Sequence, residues 1–569
     1  MKDEPLSEQS AAEPDASSIA KLLIEIGQRL VLAGENPYKA RSYTRAAESL
    51  LLLTLPLDEV IAQGRLQDIP GVGAALSQTI IRLHQHGTTP RLEAMRAEVP
   101  AGVLELLAIP GLRAPKIMEL YQKLGISSLD ELEAACRQNR LKGEKGFGPS
   151  FQEKVVAGID LTRRFAGQRL IHHVADHLAQ VAASLTRSHP ELSRIQPAGD
   201  FRRGLELVAD LALVAETPDG SGIEVLVPAN GSKLWLADQR RYGPALVLAT
   251  GSSEHIRELQ ARALNQGFRL DEHGLFKGRR LIACPDEEDV YTALGLPFIE
   301  PELREGRGEI ALAAEGRLPH LVTNNDIRGL LHCHTDFSDG SNTLQEMAEA
   351  TRARGYEYFG VADHSKTANY AGGLSVERVL EQHRLADSLN ASYRGEFRIL
   401  KGIESDILED GSLDYPDEVL ARFDYVVASV HSRFRLDSET QTQRIIRAVS
   451  NPFTTILGHM TGRLLRKREG YEVDVDRVLR ACAEHEVAVE VNANPHRLDL
   501  DWRWHQRAME LGCMVSINPD AHSVEELDLT SWGVQMARKG GVPSERVLNC
   551  LDARSLTLFL SRRSRRNQL

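Results

Sequence analysis

From residue 18 to about 165, apolar and polar positions follow helical patterns separated by short glycine-containing turns, which predicts an all-helical region. From about 170 to 315, helical stretches mix with short apolar runs at Leu205–Val214, Ile223–Val227 and Ala245–Leu248, read as strands. Around Leu312–Ile327 the pattern breaks at Gly316, Pro319 and Asn324-Asn325-Asp326, which predicts a linker. Beyond it the texture alternates. Apolar runs at Leu330–His334, Tyr358–Val361, Arg398–Gly402, Asp424–Ser429, Thr454–Leu457, Val487–Val491 and Met514–Ile517 predict seven strands, each followed by a helix or loop. That is the rhythm of a (β/α) barrel one unit short of eight.

Composition changes this picture little. A chain of 569 residues is too long for one core and implies about three or four domains. No run approaches ~18 consecutive apolar residues, so no membrane span is expected. Met1 to Ser18 is polar, acidic and rich in Pro and Ser, without the basic start and apolar stretch of a secretory signal, and reads as a disordered tail. Six scattered cysteines without a CxxC pair argue for a reducing cytoplasm and against a disulfide framework or cysteine zinc site. The net charge of −12 disfavours a protein that coats nucleic acid, but leaves room for DNA binding through backbone amides and local Lys and Arg. The terminal Arg562-Arg563-Ser564-Arg565-Arg566 reads as a solvated basic end.

The candidate chemistry lies at the strand ends of the last segment, where barrels of this kind build their sites. The first run holds His332-Cys333-His334, whose two imidazoles share one strand face, with Asp339 in the loop beyond. The second ends at Asp363-His364, the third at Glu404, the fourth at His431, the fifth at His459, the sixth at Asn492-Ala493-Asn494 and the seventh at Asp520-Ala521-His522. A single histidine after a strand is ordinarily structural. Six of the region's ten at strand ends are hard to assign to chance, whereas His383, His485, His496 and His505 keep the ordinary reading. Imidazole and carboxylate suit zinc, manganese or iron, and clusters of two or three ions favour phosphate ester hydrolysis. Lys366, Arg433, Arg463 and Arg497 are candidates for steadying a substrate phosphate, and Arg463 to Arg468 is the best basic cluster at the barrel mouth.

In every ligand motif the segment resembles the polymerase and histidinol phosphatase (PHP) domain family. The resemblance implies a distorted (β/α)7 barrel holding three metal ions through His332, His334, Asp339, His364, Glu404, His431, His459, Asp520 and His522, none of them substituted. It implies Glu404 as the bridging carboxylate, a catalytic set of Glu404, His332, His334 and Asp520, and manganese or zinc as the metal.

The N-terminal half carries Ile69-Pro70-Gly71-Val72-Gly73, then Ile109-Pro110-Gly111-Leu112-Arg113, then Gly146-Phe147-Gly148, each leading into a helix. This helix-hairpin-helix signature exposes backbone amides to a DNA phosphate without sequence readout. With Arg202-Arg203-Gly204-Leu205-Glu206 and the Leu294 to Arg304 stretch, residues 18 to 315 resemble a family X DNA polymerase, and the order polymerase, linker, PHP resembles the bacterial PolX proteins. The implied fold class is multidomain α+β and α/β, with helical helix-hairpin-helix domains, a nucleotidyltransferase-like palm and a thumb before the barrel. The expected divisions are a tail at 1–17, a lyase-type domain at 18–88, fingers at 89–165, palm at 166–250, thumb at 251–315, linker at 316–327 and PHP domain at 328–569. Asn36 to Tyr43 resembles that family's opening helix, where Lys39 would meet a phosphate.

The polymerase site departs from the family. Asp200 stands where a serine binds triphosphate, Ala209-Asp210-Leu211-Ala212 replaces Gly-Asp-Ile-Asp, and Lys233 aligns with the third aspartate. Leu248-Ala249 replaces the aromatic pair, and Thr79 the Schiff-base lysine. Two-metal nucleotidyl transfer needs those carboxylates, so magnesium binding in the palm and lyase chemistry are expected to be lost, leaving Arg202 and Arg203 as relic or DNA-contacting residues. Three readings follow. The first is a cytoplasmic, monomeric DNA-repair nuclease acting on gapped, nicked or 3′-ended duplex, mainly as a 3′-5′ exonuclease, with abasic-site endonuclease or 3′-phosphatase activity beside it. The second is a working polymerase using Glu206, Glu224 or Asp238 as replacement ligand, with the barrel proofreading. The third is a non-catalytic scaffold or small-molecule phosphatase.

Overall fold

A computed structural model describes residues 14–50, 57–69, 71–218, 222–227 and 232–566. Most of the expected tail lies outside them, as does Pro70 of the first hairpin. The helix Ala16–Leu32 begins inside the expected tail because Asp15 caps it, its carboxylate accepting from the Ser18 N–H at 2.8 Å.

Two helical cores follow. Ile19, Leu23, Leu30, Leu50, Ile80 and Leu83 close the first, and Val103, Ile109, Ile117, Leu132, Phe147 and Ile159 the second. The helices Ala74–His86, Ala114–Leu124 and Pro149–Arg164 each start directly after a hairpin. Gly71 at φ +83° and Gly111 at φ +78° occupy the left-handed region that a side chain would strain.

Beyond Arg169, a four-stranded sheet runs in the order Ser193–Ala198, Leu211–Thr217, Lys233–Asp238, Ile223–Leu226, backed by the helix Ile171–Ser188. The expected single strand at Leu205–Val214 is broken. Leu207–Val208 pairs with Arg169–Leu170, and only Leu211 onward joins the palm sheet. The break falls where the Asp200 carboxylate takes the N–H groups of Ala209 and Asp210. Ala245–Leu248 is helical rather than extended, inside Tyr242–Thr250, because a short Ala/Leu run has no strand preference and packs equally well in a buried helix. A thumb of the helix Ser253–Asn265 and a three-stranded antiparallel sheet completes this half.

The C-terminal sheet is seven-stranded, all parallel, in sequence order from Gly329–Cys333 to Val515–Asn518. A parallel bridge between Cys333 and Ala521, with the His334 N–H on the Ala521 carbonyl at 2.8 Å, nearly closes it into a barrel. The third strand runs on to Asp406, so Glu404 sits within it rather than at its end. The expected linker is docked on the barrel. Leu321, Val322 and Ile327 are buried, and the Val322 N–H bonds the Val542 carbonyl. Apolar side chains in a loop gain more by packing than by exposure. The basic C-terminus forms the last turn of the helix Ala553–Arg566. One buried cluster runs from Leu170, Val174 and Leu178 of the palm to Ile517, Val534 and Trp502 of the barrel.

Candidate metal centre and altered palm

The first barrel strand carries a register irregularity between Leu330 and Cys333, and His332 within it has φ +57°. His459 at φ +21° and Asp520 at φ +53° share this rare conformation. Such backbone is retained where the surroundings over-determine it, which makes a functional constraint the natural inference. His332 and His334 are fully buried, and the intervening Cys333 packs into the apolar core.

Glu404 is the hub. One oxygen lies 3.2 Å from His332 Nε2, 3.2 Å from His431 Nε2 and 3.0 Å from His459 Nε2, and the other 2.8 Å from His364 Nδ1. Asp520 Oδ1 stands 3.2 Å from His334 Nε2 and 3.6 Å from His332 Nε2. Asp339 Oδ1 stands 3.4 Å from His522 Nε2 and 3.6 Å from His364 Nε2. Among the described residues, the donor atoms form four overlapping groups, each within 4.8 Å: His334–Asp339–His364–His522, His332–His334–Glu404, His332–His459–Asp520 and His364–Glu404–His431. Together they contain all nine residues that the PHP resemblance singles out.

The donor set fits divalent ions on an independent ground. His332 Nε2, His334 Nδ1, His364 Nδ1, His459 Nδ1 and Glu404 Oε2 are buried without hydrogen-bond partners. Buried polar atoms are otherwise nearly always satisfied. His364 Nδ1 and Glu404 Oε2 approach to 2.8 Å yet make no hydrogen bond, an arrangement natural to two ligands of a shared ion.

Electrostatics keep the carboxylates ionised. Burial opposes the charge on Glu404, but His431, His332 and His364 outweigh it and hold the group well below its ordinary value. Burial opposes Asp520 likewise, and His332, His334 and Arg497 pull it well down. His431 is raised to about 10, with Glu404 and Asp406 overcoming burial, and His522 to about 9 through Asp339 and Asp520 against burial. His334 goes the other way, to about 3, because burial and the neighbouring His522 and His364 disfavour a further charge.

Two carboxylates escaped the sequence reading. Glu490 is fully buried and accepts from His332 Nδ1 at 2.6 Å, Asn518 Nδ2 at 2.8 Å and the His459 N–H at 2.7 Å. Asp406 accepts from His431 Nδ1 at 2.5 Å and Thr367 Oγ1 at 2.8 Å. A carboxylate on the far imidazole nitrogen fixes tautomer and ring orientation, leaving the near nitrogen for a ligand. A signal existed for each: a glutamate inside the apolar run Val487–Val491, and an aspartate two residues after Glu404 on the same strand face.

The phosphate candidates divide. Arg497 lies at the cluster, Nε 3.4 Å from Asp520 Oδ2, and Lys366 is exposed beyond His364. Arg433 pairs with Glu409 on the exposed rim. Arg463 is spent internally on Asp501 at 2.7 Å and on the Arg497 and Leu498 carbonyls. Arg468 folds back over Phe434 to the Gly462 carbonyl, so the basic run does not present a continuous row of cations.

In the palm, Asp200 accepts from the Ala209 and Asp210 N–H groups at 3.0 and 2.9 Å and from Arg203 at 2.6 Å. Arg202 makes a two-pronged pair with Glu287 at 2.7 and 2.6 Å, and Arg203 bonds Glu305 and the Thr250 carbonyl. Arg202 and Arg203, expected as relic or DNA-contacting residues, are thus both engaged by internal partners. Ala212 pairs with Lys233 across two strands, and the Lys233 ammonium lies 2.9 Å from Asp210. Of the replacement carboxylates, Glu206 is held by Trp502 Nε1 and Arg503, and Asp238 by Arg241 and the Arg240 N–H.

At the hairpins, the caps of all three helices, Gly73, Arg113 and Gly148, make no side-chain capping bond. Pro115 and Pro149 carry no N–H, so the amides left to meet a phosphate are chiefly those of Ala74, Ala114 and Ser150. Lys39 sits on the surface in an exposed pair with Glu35, an interaction weak enough to exchange for a phosphate.

Comparison with known proteins matches residues 14–89 to a helix-hairpin-helix domain, 245–305 to the DNA polymerase beta thumb and 331–494 to the PHP domain. The DNA polymerase/3′-5′ exonuclease PolX of Bacillus subtilis (strain 168) is 33% identical over 577 residues, covering 96% of this chain and 99% of that protein. A probable phosphatase of Thermoanaerobacter sp. (strain X514) is 25% identical, covering 41% of this chain and 95% of its own length. A probable phosphatase of Vibrio campbellii is 27% identical over a similar 41% of the chain and 93% of its own length.

Proposed function

The chain belongs to the PolX family, and on that premise we propose that it is a DNA-repair hydrolase whose C-terminal barrel shortens DNA from the 3′ end. The observation that carries this reading is the buried Glu404 hub, within 3.2 Å of four histidines that include unpartnered donor nitrogens.

His332, His334, Asp339, His364, Glu404, His431, His459, Asp520 and His522 would hold up to three manganese or zinc ions. When bound, such ions supply an activated water and neutralise phosphate charge. The chain's own groups do the rest. Arg497 and Lys366 steady the phosphate oxygens, while Glu490 and Asp406 hold His332 and His431 in one tautomer. A water oxygen bonds to phosphorus as the bond to the penultimate 3′ oxygen breaks. One water proton ends on that oxygen and the other goes to solvent, so a nucleoside 5′-monophosphate leaves. The same centre suits abasic-site cleavage and removal of a 3′ phosphate.

Residues 18–88 and 89–165 serve as the hairpin domains that grip the backbone of gapped, nicked or 3′-ended duplex through Gly71, Gly73, Gly111, Gly146, Gly148 and Lys39. The palm at 166–250 and thumb at 251–315 form a platform without polymerase chemistry, joined through 316–327 to the barrel at 328–569. We place the protein, as a monomer, in the cytoplasm at the nucleoid. Among the described residues, no helix is long and apolar enough to cross a membrane.

The test is a 5′-labelled gapped duplex with manganese, run with and without nucleotides. Shortening without extension is expected, lost in the His332→Ala, His334→Ala double variant. Extension, or shortening that survives both the double variant and chelation, would refute the reading.

A further inference from the structure

Tyr370 is 71% exposed, yet its ring centroid lies 6.0 Å from the His364 ring and 6.4 Å from the His431 ring. It projects from the short turn Asn369–Ala371, between Ala368 and Ala371, which are buried. That turn is bolted to the metal centre. The Ser365 N–H bonds the Glu404 carbonyl at 2.9 Å, and Ser365 Oγ accepts from the Asp406 N–H at 2.9 Å. Thr367 Oγ1 donates to Asp406 at 2.8 Å, and Asp406 in turn holds His431. The Thr367 N–H bonds Asp414 at 2.7 Å, and the Leu374 N–H bonds the His364 carbonyl at 2.9 Å. Gly373 closes the turn where any side chain would collide with the Ser365 carbonyl.

A large flat ring is thus held exposed on a rigid support, within one nucleotide's reach of the candidate ligands. Every nucleobase offers a flat face, and stacking on a pre-positioned aromatic tolerates any sequence.

We propose that Tyr370 stacks on the base of the 3′-terminal nucleotide and so places that nucleotide's phosphodiester in the metal centre. Tyr370 is then a specificity-determining residue, selecting ends that carry a base over base-less ends. This rests on the reading of the barrel as a DNA 3′-end hydrolase.

The experiment uses the full-length, manganese-loaded protein on two labelled duplexes, one ending in an ordinary nucleotide and one in a base-less tetrahydrofuran residue. Tyr370→Ala should raise KM on the ordinary end by about 5- to 100-fold, while barely moving the base-less end. Tyr370→Phe should restore the difference. Equal slowing on both ends, or none on either, overturns the stacking role. Failure of the unaltered protein to shorten either end overturns the hydrolase reading itself, and the stacking role with it.

Discussion

Lys233 places its ammonium 2.9 Å from the Asp210 carboxylate, with Ala212 directly opposite Lys233 on the adjacent strand. A tethered cation thus offsets the charge of the Asp210 carboxylate. Asp210→Asn should leave 3′-end shortening within about twofold, and Lys233→Ala should cost less than about 1 kcal/mol, as half-exposed pairs do. Nucleotide incorporation into a one-nucleotide gap, abolished by Asp210→Asn, would contradict this.

Glu490 fixes two metal-centre histidines at once, through His332 Nδ1 and the His459 N–H. Glu490→Gln keeps the size but loses the charge that holds the His332 proton. Metal affinity measured by calorimetric titration should fall about 10- to 100-fold, with weaker binding and not misfolding as the cause. Unchanged affinity would show that packing alone sets the ring.

Removal of metal should be felt as stability. With free ion at a hundredfold over its Kd, binding contributes about 2.7 kcal/mol per site. Chelation should therefore lower the barrel's melting transition, and manganese should restore it in a concentration-dependent way. Calorimetry that finds the same transition with and without ion would count against the centre.

Glu287 joins palm to thumb by pairing with Arg202 and with Arg304, which is completely buried. Burial opposes its ionisation, but Arg304 and Arg202 hold its carboxyl below the ordinary value. A depressed value means the stabilisation is present above the unfolded group's pKa of about 4.3 and is lost as pH falls through the folded value. Thermal melts should therefore show the palm and thumb weakening below about pH 4. Glu287→Gln, which strips Arg304 of its counter-charge, should cost about 3–5 kcal/mol at neutral pH and flatten that acid response.

The barrel was legible because its signals are local. An apolar run predicts a strand, and a histidine at its end points to the mouth whatever the neighbours do. The same locality explains what sequence patterns do not show. Ala245–Leu248 packs as helix because its partners, not its own sequence, decide between helix and strand, and the 316–327 segment docks because Val542 is waiting for it.

By itself, the sequence determined the seven-strand rhythm, the nine candidate ligands and the glycine turns that lead into helices, all properties of residue type and spacing. Only the tertiary structure decided where the remaining charges go. It seats Glu490 and Asp406 behind His332 and His431, turns Arg202, Arg203 and Arg463 inward, and sets Lys233 on Asp210. Ion pairing joins residues far apart in the chain and depends on a few ångströms of separation, which no spacing along a sequence encodes.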